Sequence, residues 1–163
     1  MVVITLVAVL ATIGVAAFRE RATASKSVEA VAVIQAIRAA QESYRAENQE
    51  YLDVTEPGNW YPSSTFNSTA IGWAANYSSH PDGPEMQALN VVVVQPVQYR
   101  YLVNAGGAGS PLPTPIVTLP AWPTPTDPWY VIQARANVDG DSVYSNAVAT
   151  SFSSNVYLDN EGE

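Results

Sequence analysis

Polar and apolar residues are laid out along this chain in three regimes. Residues 1–18, "MVVITLVAVLATIGVAAF", carry no charge, and ten of them are Val, Ile, Leu or Phe. Arg19, Glu20 and Arg21 end the run, and from Ala22 to Glu50 there is neither Pro nor Gly. In that second regime Ala30, Val33, Ile37, Ala40, Tyr44 and Tyr51 recur at helical spacing, the mark of one apolar helix face. Lys26, Glu29, Arg38, Glu42, Arg45 and Glu50 lie largely off it, with Lys26–Glu29 and Arg38–Glu42 spaced to pair weakly. The pattern predicts one helix of about 50 residues, roughly 75 Å long, apolar all round at first and amphipathic afterwards.

The third regime begins after Tyr51, where "VTEPGNWYPSSTFNSTAIGW" is too rich in turn residues to continue a helix. Residues 52–90 read as a long loop anchored by Trp60, Tyr61, Phe66, Ile71, Trp73 and Tyr77. Strands are expected over Asn90–Val94, Val97–Val103 (Tyr99 and Tyr101 on one face), Trp129–Ala136, Ser142–Thr150 and Asn155–Leu158. The Gly- and Pro-rich stretch between Asn104 and Pro128 reads as an extended surface loop. The fold class is therefore α+β: an antiparallel sheet of three to five strands laid on the amphipathic helix, burying Ile34, Ile37 and Tyr44. Three segments follow: an apolar arm over 1–24, an amphipathic helix over 25–51, and a head over 52–163.

As a helix, residues 1–18 would span about 27 Å, just short of a hydrocarbon core of about 30 Å. Their side chains favour a bilayer by roughly 3–6 kcal/mol. A cleaved secretory signal fits poorly, because no basic stretch precedes the apolar run and the cleavage motif is unconvincing.

The stretch "MVVITLVAVLATIGVAAFRERATASKSVEAVAVIQAIRAAQESYRAENQEY" resembles the N-terminal helix of type IV pilins. The likeness is specific over these fifty residues and extends to the rest only in layout. Met1-Val2-Val3-Ile4 matches the stretch just after the family's opening, and Leu10-Ala11, Ile13 and Phe18 fall where relatives have Leu-Ala, Ile and Tyr. In this register about six mature residues precede Met1, including an acidic residue two places before it. In an unbroken register Thr5 stands at the acid's place instead. Ala16 and Ala8 replace a common Pro and Gly, leaving Gly14 as the weak point of the arm.

The resemblance implies a pilin-like fold and a structural role, not an enzymatic one. It implies an N-methylated subunit, held in the inner membrane before assembly and delivered by pilus assembly machinery to a helical filament of identical copies. That filament is an extracellular fimbrium serving adhesion and twitching motility. Met1, Ile4, Leu6, Val9, Leu10, Ile13 and Phe18 would pack the filament core, and Arg19, Glu20 and Arg21 would form intersubunit ion pairs. The same layout serves a type II secretion pseudopilin, and a membrane-tethered binding module is a reading from another class.

Charge and candidate chemistry change this picture little. Residues 1–50 are neutral, with five basic and five acidic groups, whereas residues 51–163 set Arg100 and Arg135 against ten carboxylates. An acidic head repels phosphate, which argues against a specific nucleic-acid partner. There is no cysteine, hence no disulfide framework or thiolate metal site. No Gly-x-Ser-x-Gly elbow, paired-His motif or phosphate loop occurs; Gly106-Gly107-Ala108-Gly109 reads as a loop, and the lone His80 has no evident partners. Asn137, Asp139 and Asp141 have the alternating oxygens that open a calcium loop, but Ser142 and Val148 stand where its glycine and closing carboxylate belong. Asp-Gly there is already a hairpin turn signal. No cofactor is expected, and calcium is the minor alternative. Asn67-Ser68-Thr69 and Asn76-Tyr77-Ser78 fit the sugar-acceptor pattern, and Ser63–Thr69 is a candidate for O-linked sugar. Phe18, Tyr44 and Tyr51 read as packing residues.

Overall fold

The structure is a computed structural model that describes residues 26–161 apart from Pro120 and Ser142. Its elements are α1 (residues 26–48), a short 3-10 turn (Ala74–Asn76), α2 (Gly83–Ala88), β1 (Arg100–Gly106), β2 (Trp129–Ala136), β3 (Ser145–Thr150) and β4 (Ser153–Asp159). The four strands form one antiparallel meander in the order β1-β2-β3-β4.

The α+β class stands, but the expected pilin-like helix of about 50 residues does not. The described helix has about 23 residues, or roughly 35 Å. Its apolar face is the part that the sheet covers, and its C-terminal end falls where that cover stops. Ala30, Val33, Ile34 and Ile37 are buried in one core with Tyr99, Tyr101, Val103, Tyr130, Ile132, Ala134 and Ala147. Ala40 and Tyr44 pack at its edge. Beyond them Gln49 takes a left-handed conformation (φ 64°) with its N–H donated to Arg45 O, which closes the helix. Tyr51 therefore reaches the core from the following segment, with its ring 4.8 Å from that of Tyr130, edge to face. Gln41, fully buried, splices helix to segment: its amide donates to Leu52 O (2.7 Å) and accepts from Leu52 N–H (3.0 Å).

The helix charges serve the head instead of pairing with each other. Glu29 Oε1 accepts the N–H of Gln98 at 2.7 Å, and Glu42 accepts the Tyr51 hydroxyl at 3.0 Å. Arg38 reaches the β3–β4 hairpin, where its guanidinium donates to the carbonyls of Ser153, Ser154 and Asn155 at 2.8–2.9 Å and of Thr150 at 3.3 Å. The expected Lys26–Glu29 and Arg38–Glu42 pairs give way to these bonds, because backbone carbonyls and amides without a ladder partner need them more. Replacing Arg38 with methionine is expected to destabilise the head by about 1–3 kcal/mol in a urea melt, from the loss of charged hydrogen bonds. No change would contradict this tie.

Both faces of the sheet are covered. The helix side carries Tyr130, Ile132, Ala134 and Ala136 of β2. Its other side carries Trp129, Val131 and Val148, on which Leu112, Ile116, Val117, Leu119 and Trp122 of the Pro-rich connector pack. The connector is thus a strap, pinned where Gln133 Oε1 accepts Ile116 N–H at 2.9 Å and where Gly109 N–H reaches Pro125 O. Gly106 is required at its start: a Cβ there would lie 2.6 Å from Cζ2 of Trp129.

The expected strand over Asn90–Val94 is absent. The free edge of β1 is already occupied, Tyr101 bridging to Tyr61 and Val103 O accepting from Val54 and Thr55, so this run has no ladder to join. Val97 makes only an isolated bridge to Ile71, and β1 proper starts at Arg100. β2 matches its expected bounds, β3 is the second half of Ser142–Thr150, and β4 extends Asn155–Leu158 at both ends. The loop over 52–90 holds the short 3-10 turn and α2, and Trp60, Tyr61 and Trp73 within it are buried.

Candidate interaction surfaces

The two arginines of residues 51–163 stand directly opposite each other in the β1–β2 register. Two like charges at that spacing repel unless each is engaged elsewhere. Arg100, with no exposed surface, donates to the carbonyls of Thr65, Thr69, Val97, Gln98 and Tyr99 at 2.7–3.4 Å. Arg135 lies over the rings of Tyr144, Trp60 and Phe66 at 5.1, 5.5 and 6.0 Å and donates to Asn146 Oδ1. Burial pulls both guanidinium pKa values below their usual range. Both cations thus serve the interior, while Asp53, Glu56, Glu85, Asp127, Asp139, Asp141 and Asp159 are exposed. The outer surface of the head is acidic.

Sequence composition could count those arginines but not place them. The one available signal was Trp60 and Phe66 in a turn-rich loop, aromatic residues that need something to cover.

His80 shows no catalytic arrangement. Its Nε2 lies 3.0 Å from Trp60 O, and its Nδ1 accepts Asp82 N–H at 3.2 Å, which fixes the Nε2–H tautomer. The Asp82 carboxylate is 3.9 Å from the ring. The nearby Ser63 and Ser64 hydroxyls accept backbone N–H groups, and the Ser79 hydroxyl meets Asn76 Oδ1 at 3.5 Å. Among the described residues no serine hydroxyl is hydrogen-bonded to this imidazole.

In the loop Asn137–Asp141 each candidate calcium ligand accepts a local N–H instead. Asn137 Oδ1 takes Gly140 N–H (2.7 Å), Asp139 Oδ1 takes Asp141 N–H (3.1 Å), and Asp141 Oδ1 takes Val143 N–H (2.7 Å). Gly140 supplies the positive φ of the turn. Among the described residues no cluster of three or more acidic or histidine side chains is placed to hold a metal. Millimolar calcium is expected to leave the melting temperature unchanged, and a rise of several degrees would restore the metal reading.

Of the two sugar-acceptor triplets, Asn67 is exposed, whereas the Asn76 amide donates to Gly72 O at 2.7 Å. The expected core residues Met1, Ile4, Leu6, Val9, Leu10, Ile13 and Phe18, the weak point Gly14, and Arg19, Glu20 and Arg21 all lie outside the described residues. The membrane expectation for 1–24 lies there too; among the described residues no helix is long and apolar enough to cross a membrane.

Comparison with protein-family models, curated proteins and solved structures finds no match to this chain.

Proposed function

We propose that this chain is a structural subunit of a surface filament of the type IV pilus class. The acidic head would face solvent, and the uncharged N-terminal segment would be buried among copies of itself. The observation that carries the reading is the joint at Arg19. Eighteen uncharged residues stand only seven residues ahead of a folded head whose sheet is packed on both faces. Among the described residues only a groove of about 300 Å³ is left open beside α1, too small to shelter a whole apolar segment of that length. Lipid before assembly, and neighbouring copies afterwards, are the two media that can.

This reading does not depend on an unbroken rod. It needs only that residues 1–18 leave water together with those of other copies. Transfer from lipid to protein changes the hydrophobic term little, so packing and the few polar groups set the filament geometry. Before assembly the chain would be held in the inner membrane with its head on the outer side, and assembly machinery would extract it. The role is structural, without a cofactor.

Negative-stain imaging of sheared cell-surface material tests the proposal. Micrometre-long filaments bound by antibody against the head are expected, and their absence would contradict it. If deletion of the chain blocks export of folded enzymes while surface filaments persist, the pseudopilin reading replaces it.

A further inference from the structure

One patch of the head is not explained by the head's own packing. In the run Val91–Val94, Val91 is buried and Val93 packs against the core, whereas Val92 and Val94 are 75% and 86% exposed. The backbone alternates inward and outward, yet the outward positions are as apolar as the inward ones. Soluble surfaces place polar residues there. Val28 on α1 is also 67% exposed. Between the valine run and α1 lies an open groove of about 300 Å³ walled by Ala32, Val33, Ala36, Val93, Val94 and Pro96. The single charged residue on that wall is Glu29, and its Oε1 faces inward to the N–H groups of Gln98 and Tyr99.

The chain itself holds a matching occupant. Residues 1–18 are uncharged and rich in Val, Ile and Leu, and the groove flanks the first turns of α1, beside the point where residues 1–25 join the head. We infer that this groove receives the apolar N-terminal segment of a neighbouring copy, as one contact of the filament proposed above. The inference rests on that reading. A neighbour's segment fits better than the chain's own. From Lys26 onward α1 runs along the groove, so residues 19–25 would have to reverse and lay Arg19, Glu20 and Arg21 against an apolar wall. Burying Val92 and Val94 under a neighbour removes the largest exposed aliphatic surface of the described head and gives the segment a defined receiver.

The absence of native cysteine makes the test clean. Full-length chains carrying Val94→Cys with one affinity tag are mixed with chains carrying Leu6→Cys, Val9→Cys or Ile13→Cys with another. They are then assembled and oxidised. The expected result is a disulfide-linked heterodimer joining the two tags, formed from at least one of the three N-terminal positions. Three results overturn the inference. One is ring closure within a doubly substituted Val9→Cys/Val94→Cys chain, independent of dilution and without heterodimer from the mixed singles. Another is Val94→Cys homodimer as the main product. The third is filaments that form normally with no link to position 94, which leaves the assembly reading intact. If no filaments form under any condition, the assembly reading and this contact fall together.

A second variant reads the same contact without oxidation. Val92→Asp/Val94→Asp changes only exposed positions, so its head should melt within about 2 °C of the parent. Its critical concentration for assembly should rise on the order of tenfold to a hundredfold. Unchanged assembly would contradict the contact.

Discussion

Replacing Arg100 with methionine is expected to lower the stability of the head by about 3 kcal/mol, the scale for losing hydrogen bonds from a charged donor to carbonyls inside the fold. The reason lies in what the guanidinium holds. Five carbonyls, from Thr65, Thr69, Val97, Gln98 and Tyr99, converge on one side chain with no solvent contact. Methionine fills much of the volume but donates nothing, so the carbonyls of Thr65, Thr69, Gln98 and Tyr99 lose this donor together, while Val97 O keeps the N–H of Ile71. The loop carrying Thr65 and Thr69 then loses its fastening, and Phe66, which covers Arg135, goes with it. Lysine should recover only part of the loss, because one ammonium with three donors cannot span acceptors on two segments as a planar fork does. A thermal melt checks this. A head of this size should lose on the order of 10 °C or more, and a loss under about 1 kcal/mol would show that the five bonds are not worth their geometry.

Alkaline unfolding is the second large effect. Burial raises the phenol pKa of Tyr61, Tyr99, Tyr101 and Tyr130, that of Tyr101 far above the usual value and that of Tyr130 to about 12. In an unfolded chain a phenol titrates near 10. Below pH 10 both states keep their protons, and the contribution to stability is fully present. As pH rises past 10, the unfolded chain releases phenolic protons that the fold retains. Unfolding is then favoured by about 1.4 kcal/mol per pH unit for each phenol the fold holds protonated. With four such phenols the stability should be level up to about pH 10 and fall steeply before pH 12. Tyr101→Phe isolates one contributor. The Tyr101 hydroxyl is buried and has no hydrogen-bond partner among the described residues, so its removal should not weaken the fold at neutral pH and should move alkaline unfolding to higher pH. Equal alkaline midpoints for the two proteins would contradict the assignment.

Much of the head is legible from sequence because its patterns agree across levels. Trp129–Ala136 alternates large inward residues with others that a second layer can cover, and its bounds emerge from the pattern. The helix face through Ala30, Val33 and Ile37 is equally plain. Failure comes where propensity meets a missing partner. Val91–Val94 is β-branched throughout, yet a strand is a property of a pair, and the edge of β1 was already occupied by residues 54–61. The Pro-rich connector is the loop that the sequence predicts, but its packing role was not legible. Its prolines suggest a loop, while Leu112, Ile116, Val117, Leu119 and Trp122 between them are the residues that close the outer sheet face. At its C-terminal end the helix stops at Asn48 although the periodicity runs on to Tyr51, because sequence shows spacing but not where the chain turns. The arginines' inward placement is a tertiary fact that composition conceals. The candidate filament residues 1–21 lie outside the described structure, so the readings attached to them rest on sequence alone.

The most direct test of the central claim is the sedimentation of purified full-length chain after detergent and lipid are removed. The account predicts that essentially all of it sediments as long polymers, and that one added charge, Val9→Arg, returns it to small species with an unchanged head melting temperature. A monodisperse monomer with residues 1–18 freely accessible to protease would contradict the account.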